Sequence, residues 1–240
     1  MAADTKPNRI VLKLSGEAFC AADGFGVESS QVAAAVEEIL PVVELGVQLA
    51  IVVGGGNFVR ARDLANDPTI RRVSADYMGM LGTVMNALAL RDVMQARGCT
   101  AEILSALPLP MICPPFRRGE AIRHLEAGHV VIFAGGTGSP FFTTDTAAAL
   151  RASEIDADLV IKATKVDGVY DSDPMIDPNA TMYERLTYRQ ALEQQLAVMD
   201  LAAFSLCLEN HIPIVVCQLF APGNLAKAAR GEAVGTRVTE

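Results

Sequence analysis

The sequence predicts an α/β protein built on a mainly parallel sheet. Strand-length apolar runs alternate with amphipathic helical stretches along the chain, three of those runs end in turns rich in Gly, Ser or Thr, and the composition is aliphatic. Hydrophobic residues make up 51% of 240 and aromatic residues only 5%, with no Trp. That profile suits buried parallel strands covered by helices. The length lies near the upper end of what one hydrophobic core holds, so a single domain over residues 1–240 is expected.

Ile10 to Leu14 is an apolar run interrupted by Lys13 and closed by Ser15-Gly16, a strand entering a tight turn. Val32, Val36, Ile39 and Val43 fall on one face of a helix that begins near Ser29, kinks or finishes around Pro41, and is ended by Gly46. Leu49 to Val53 is a second strand running into Gly54-Gly55-Gly56. A long helix follows from about Ser74 to Arg97, read through Met78, Leu81, Met85 and Leu88 and stopped by Gly98. Ala101 to Leu104 and Val130 to Phe133 are strands, separated by a stiff surface loop with four prolines between Pro108 and Pro115. Gly135-Gly136-Thr137-Gly138 closes the fourth strand and leads to a helix with Thr144 or Asp145 as its N-cap. Leu159 to Ile161 gives a fifth strand, two helical segments occupy roughly 187 to 209, and Ile214 to Cys217 gives a sixth. This alternation implies right-handed crossovers, with ligands bound where loops leave the carboxyl ends of the strands.

A formal net charge of −8 argues against nucleic acid or an anionic membrane as partner, since both are held by clustered Lys and Arg. A small anion remains compatible, because a nest of backbone N–H groups and a few cations can outweigh a modest global field. Five cysteines, odd in number and without a C-x-x-C pair, read as reduced thiols of a cytoplasmic protein. Residues 1–9 lack a signal-type apolar stretch, and no apolar run reaches the roughly 18 residues of a membrane span.

Alone, Gly54-Gly55-Gly56 reads equally as a turn needing positive φ or as a phosphate cradle. The glycine turns at Gly16 and Gly135–Gly138, at the same end of other strands, favour phosphate. There is no G-x-x-x-x-G-K-[ST]. Val59 and Phe141 occupy the last position of the two potential G-x-G-x-x-G motifs. Lys13 interrupts an apolar strand two residues before a glycine, where an unpaired ammonium is costly, so it reads as a cation for phosphate. Arg60 could supply a second one. Asp145 either caps a helix or orients Lys13. Asp76, read as preceding a helix, could cap it or accept hydrogen bonds from a ribose diol. His124, His129 and His211 are scattered without ligand spacing, so neither a zinc site nor a Ser-His-Asp arrangement is expected.

Seven motifs together resemble the amino acid kinase superfamily and, within it, the bacterial uridylate kinase family, across nearly the whole chain. They are Lys13-Leu14-Ser15-Gly16-Glu17-Ala18, Gly24-Phe25-Gly26, Gly54-Gly55-Gly56-Asn57, Met78-Gly79-Met80, residues 137–145 (Thr-Gly-Ser-Pro-Phe-Phe-Thr-Thr-Asp), residues 163–170 (Ala-Thr-Lys-Val-Asp-Gly-Val-Tyr) and residues 198–203 (Val-Met-Asp-Leu-Ala-Ala). The resemblance implies that Lys13, Ser15, Gly16, Gly56 and Arg60 meet the phosphates of ATP, while Thr164, Tyr170 and Asp173 hold its nucleoside. It likewise implies that Gly55, Asp76, Thr137, Gly138, Ser139, Pro140, Phe141, Phe142, Thr143 and Thr144 hold UMP. Lys13, Arg60 and Asp145 would carry catalysis, with Lys162 a further cation. The family implies a three-layer αβα sandwich around a mainly parallel sheet, transfer of a phosphoryl group from ATP to UMP, Mg²⁺ carried in on ATP with no protein metal ligand, and a homohexamer. It also implies activation by GTP, whose responsive segment Gly24-Phe25-Gly26 resembles, and inhibition by UTP. The accepting oxygen is already anionic, so no general base is expected.

Three positions depart from the family pattern. Ser139 stands where many members have Asn, Tyr77 where many have His, and the stretch after Arg60 lacks the usual glycines and is about one residue longer. The rival readings are a superfamily kinase acting on a carboxylate or carbamate, and a non-catalytic oxyanion-binding protein. Phe141-Phe142-Thr143-Thr144-Asp145 disfavours the first, and retention of Lys13 and Asp145 disfavours the second.

Overall fold

The structure is a computed structural model in which residues 7–59, 69–172, 174, 176–177, 179–196 and 198–240 are described. In chain order the elements are β1 (Arg9–Leu14), a 3-10 turn (Gly16–Phe19), α1 (Ser29–Glu44), β2 (Gln48–Val53), α2 (Arg72–Ala96), β3 (Ala101–Ser105), α3 (Arg118–Glu126), β4 (Val130–Ala134), α4 (Thr144–Glu154) and β5 (Leu159–Thr164). There follow β6 (Val169–Tyr170), β7 (Met182–Tyr183), β8 (Arg185–Thr187), α5 (Tyr188–Glu193), α6 (Leu201–Glu209), β9 (Ile214–Gln218), α7 (Asn224–Arg230) and β10 (Thr236–Thr239).

The main sheet runs in the order β3-β4-β2-β1-β5-β9-β10-β8, with β6 and β7 forming a separate antiparallel pair. Every pairing from β3 to β9 is parallel, and β10 runs antiparallel to β9. β1 sits between β2 and β5, so connections leave it in both directions and a crevice opens beyond its carboxyl end.

Period-two alternation divides the sheet between two cores. Ile10, Leu12 and Leu14 pack with Leu159, Ile161 and Ala163 against α1, α2 and α7. Val11 and Val160 face α3, α4, α5 and α6. Lys13 and Lys162 stand directly opposite each other in the β1/β5 register, and alternation turns both side chains to the α4 face. α4 approaches closely because its sheet-facing residues Ala147, Ala148, Ala149 and Ala152 are small and buried. Enlarging one of them would overpack this contact at a cost of about 1–3 kcal/mol.

All six expected strands are present. α1 continues through Pro41 to Glu44, so the helix does not finish at the proline. The ring removes one hydrogen-bond donor, but burial of Val32, Val36, Ile39 and Val42 along the same face outweighs that loss. α2 begins at Arg72, so Asp76 lies inside the helix and does not cap it. The N-cap of α4 is Thr143, one residue before the expected pair; its hydroxyl accepts from the N–H groups of Asp145 and Thr146. The sequence reading missed α3, α7 and the short strands β6, β7, β8 and β10. The face through which α2 is read from the sequence points outward. Val84, Ala87, Leu90 and Met94 are buried, whereas Met78, Leu81 and Met85 are exposed.

Candidate active site

The turn after β2 is held by packing and by amides. Gly54, Gly55 and Gly56 do not adopt positive φ, in contrast to Gly135, Gly136 and Gly138. Glycine is required at Gly54 because a Cβ there would lie 2.6 Å from the Gly16 nitrogen. A Cβ on Gly55 would fall on the carbonyl oxygen of Gly79 in α2, with Thr83 N 3.0 Å away. A buried Asn57–Asn86 pair then pins the turn. Asn86 Nδ2 donates to Gly54 O at 2.7 Å and to Asn57 Oδ1 at 2.8 Å, while Asn57 Nδ2 donates to Gly26 O at 2.6 Å. The Gly24-Phe25-Gly26 segment is thereby attached to the glycine turn.

Across the crevice, Lys13 Nζ lies 2.9 Å from Asp145 Oδ1 and Lys162 Nζ lies 2.8 Å from Asp145 Oδ2. The three side chains are only 11%, 17% and 13% exposed, in the order Lys13, Lys162, Asp145. Burial alone would raise the Asp145 pKa. The two ammonium groups and their hydrogen bonds outweigh burial and hold the carboxyl below its ordinary value. The two lysines are not equivalent. Lys162 donates to Asp145 Oδ2 and, at 2.6 Å, to Val198 O. Lys13 pairs with Asp145 Oδ1, and the other N–H groups of its ammonium remain for a ligand.

The first turn of α4 is anchored from α6. The Asp200 carboxylate accepts from Thr143 Oγ1, from Thr146 N at 3.2 Å and Oγ1 at 2.9 Å, and from Ala203 N at 2.9 Å, capping α6 as it does so. Thr143, Thr144 and Asp145 are thus presented at a fixed helix N-terminus, where the dipole favours an anion.

Between this terminus and α2 lies a cavity of about 410 Å³ lined by Gly55, Gly56, Asp76, Thr137, Ser139, Phe142, Thr143 and Thr144 among the expected residues. It is also lined by Glu17, Val59, Arg72, Ala75, Gly79, Met80, Thr83 and Gly136. Asp76 is nearly buried. It accepts from Arg72 Nε at 2.9 and 3.1 Å and from the Phe141 N–H at 2.9 Å. Phe141 has φ of +72°, an uncommon conformation for a non-glycine residue, and the bond from its N–H to Asp76 helps to hold it. Gly138 and Pro140 share this loop without lining the cavity.

On the other side of the glycine turn, Ser15 caps the 3-10 turn by accepting from Glu17 N at 3.3 Å. Glu17 pairs with Lys165 at 2.8 Å, which ties the turn after β1 to the turn after β5. Thr164 closes that turn by donating to Val166 O at 2.6 Å, and Tyr170 donates to Asp167 Oδ1 at 2.6 Å. Arg60 and Asp173 lie outside the described residues. A further cavity of about 240 Å³, along Glu184, Arg185, Gly231 to Gly235 and Arg237, contains no expected site residue.

Arg72, Gly79, Thr83, Asn86 and Asp200 were missed as site residues. Gly79 and Gly82 inside a helix were a legible signal, because glycine there costs about 1 kcal/mol unless something approaches closely. Arg72 and Asp76 sit at i,i+4. Asp200 had a legible one, an Asp directly before a helical run and inside the 198–203 motif, whereas Asn86 had none.

The Amino acid kinase family model matches residues 8–218. A uridylate kinase of Yersinia enterocolitica is 50% identical over 242 aligned residues, covering 100% of this chain and 97% of the relative. A UMP kinase structure from Bacillus anthracis superposes with a TM-score of 0.94 at 37% identity, covering 98% of this chain and 97% of that one. One from Ureaplasma parvum superposes with a TM-score of 0.90 at 34% identity, covering 98% and 100%. On sequence and on fold alike, the chain belongs to the amino acid kinase family.

Proposed function

We propose that this chain is an ATP-dependent UMP kinase that transfers the γ-phosphoryl group of ATP to UMP, forming UDP for pyrimidine nucleotide synthesis in the cytoplasm. The observation that carries the proposal is the junction of two features: the 410 Å³ cavity between Asp76 and the α4 N-terminus, and the Lys13–Asp145–Lys162 cluster beside it. UMP occupies the cavity, with its phosphate near Gly55 and the Thr143–Thr144 helix terminus and its ribose at Asp76. Gly138, Ser139 and Pro140 shape the loop over it. The triphosphate of ATP lies along Ser15, Gly16, Gly56 and Lys13, joined by Arg60, and its nucleoside lies toward Thr164, Tyr170 and Asp173. One domain thus carries an acceptor side built mainly from its N-terminal part and an ATP side built mainly from its C-terminal part.

The attacking UMP oxygen is anionic at neutral pH. Catalysis is therefore in-line positioning and charge neutralisation, with no general base. Lys13 neutralises charge on the transferred phosphoryl group, Lys162 holds Asp145 in place, and Asp145 sets the direction of Lys13. A Mg²⁺ ion carried in on ATP is compatible with this site, because the Asp145 carboxylate is held ionised beside the crevice. Bound to the phosphates, Mg²⁺ supplies charge neutralisation of the transferring group.

The exposed apolar face of α2, formed by Tyr77, Met78, Leu81 and Met85, supports burial between subunits of a homohexamer. The link from Gly26 through Asn57 to the glycine turn gives GTP activation a route to the site, and UTP inhibition rests on the family resemblance alone. The deciding test is ADP release with UMP, CMP, AMP, acetylglutamate and aspartate as acceptors. Preference for UMP is expected, and equal or better use of another acceptor would overturn the assignment.

A further inference from the structure

Sequence spacing gave no reason to expect a metal at the histidines, but folding brings two of them together. His124 lies in the last turn of α3, and His129 immediately precedes β4. The helix ends with Gly128 at φ +77°, and the His129 N–H donates back to His124 O at 3.0 Å, a six-residue closure that places the two side chains side by side. Their Nδ1 atoms are 3.2 Å apart. Glu102 joins them from β3. Ala101 and Ile103 face the α1/α2 core, so alternation turns Glu102 toward the α3 side of the sheet. One ligand atom from each of Glu102, His124 and His129 lies within 4.8 Å of the others, all three residues being half-buried. Among the described residues this is the one group of His, Cys, Asp or Glu that converges in this way.

We infer that Glu102, His124 and His129 form a binding site for a divalent d-block cation, zinc foremost, at the opposite end of the sheet from the crevice. Two nitrogens bonded to one tetrahedral zinc at 2.0–2.1 Å stand about 3.3 Å apart, close to the separation already present in the folded chain. Two imidazoles and one carboxylate are borderline ligands that select zinc, nickel or copper over magnesium or calcium. Three protein ligands leave a fourth position for water. Both histidines bind as neutral imidazoles, and the bound ion clamps the α3–β4 turn to β3.

The test uses untagged full-length protein, dialysed against a chelator and then titrated with ZnCl₂ by calorimetry in excess MgCl₂. Cobalt(II) absorption serves as a second reading, since five cysteines are the competing ligands. The expected result is one saturable zinc equivalent per chain, a cobalt spectrum without thiolate charge transfer, and a melting temperature raised by zinc. His124→Ala and His129→Ala should each lose that equivalent and the thermal shift while retaining kinase turnover, and Glu102→Gln should bind more weakly. Zinc binding unchanged in the histidine variants, or no saturable equivalent in the parent, would reduce the pair to an N–H···N hydrogen bond. Unchanged affinity in Glu102→Gln would also overturn the three-ligand site.

Discussion

The ion pairs at Asp145 allow catalysis and folding to be separated by mutation. At 2.9 Å and an effective dielectric near 20, the gross attraction between Lys13 and Asp145 is about 6 kcal/mol, most of it offset by the cost of withdrawing both charges from water. Lys13→Ala leaves the carboxylate paired with Lys162 at 2.8 Å, so the net loss of folding stability should be only about 1–3 kcal/mol. Turnover should fall by about 10³-fold, or about 4 kcal/mol of transition-state stabilisation, because the available cation is gone. The double variant Lys13→Ala/Lys162→Ala strands a buried carboxylate, and its cost should rise to about 3–5 kcal/mol, above that of either single variant. The measurements are coupled ADP release under saturating ATP and UMP, and urea unfolding at one fixed protein concentration. Turnover of Lys13→Ala within tenfold of the parent would refute the role of Lys13. A single variant as unstable as the double would refute the shared-counterion account.

Gly55→Ala should lose activity together with about 1–3 kcal/mol of stability, since the new methyl group would displace α2 and with it Asp76. Gly46→Ala is the control for backbone strain alone. With φ +73° and open space around it, that variant should lose about 1 kcal/mol and keep its KM for UMP. Asn86→Leu keeps the volume but deprives Gly54 O and the Asn57 side chain of partners. A loss of about 1–3 kcal/mol for each stranded group and a raised KM are expected by unfolding and initial-rate assays. The pKa of Asp145 is lowered in the folded state, so its stabilisation is fully present above the unfolded carboxyl value of about 4 and is lost as pH falls through the folded value. The difference in melting temperature between the parent and Asp145→Asn should therefore be steady from about pH 5 to 8 and shrink below about pH 4.

The sequence was most informative where local pattern and tertiary role coincide. Lys13 was legible because a charge in the middle of an apolar strand demands a partner, and the partner named for it, Asp145, is the one it has. Asp145 itself was ambiguous, since any Asp near a helix start can cap. Only the structure gives that task to Thr143 and so frees Asp145 for the lysines. The glycine turn was legible, but positive φ is not its reason. Positive φ is a local property that sequence suggests readily, whereas the approach of Gly16 to Gly54 and of α2 to Gly55 comes from two other parts of the chain. The same limit hid the Asn57–Asn86 pair and the histidine cluster. β8 and β10 were missed because residues 185–187 and 236–239 are too short for alternation to stand out, and pairing with neighbours from elsewhere in the sequence defines them.

Charge and shape then account for how an acidic chain can bind polyanions. A net charge of −8 is spread over the surface, where beyond about 10 Å it is largely screened at ordinary salt. Within the crevice the balance differs. Lys13 and Lys162 against Asp145 leave one net positive charge in a poorly hydrated site, beside the positive end of a helix dipole. Because Asp145 binds both cations at fixed distance, the positive charge is already oriented before a phosphate arrives. The energy that attracts the ligand is therefore not consumed in reorganising the site. A site built this way should lose affinity only modestly as salt rises, while surface substitutions that make the chain more acidic should change association rate before they change turnover.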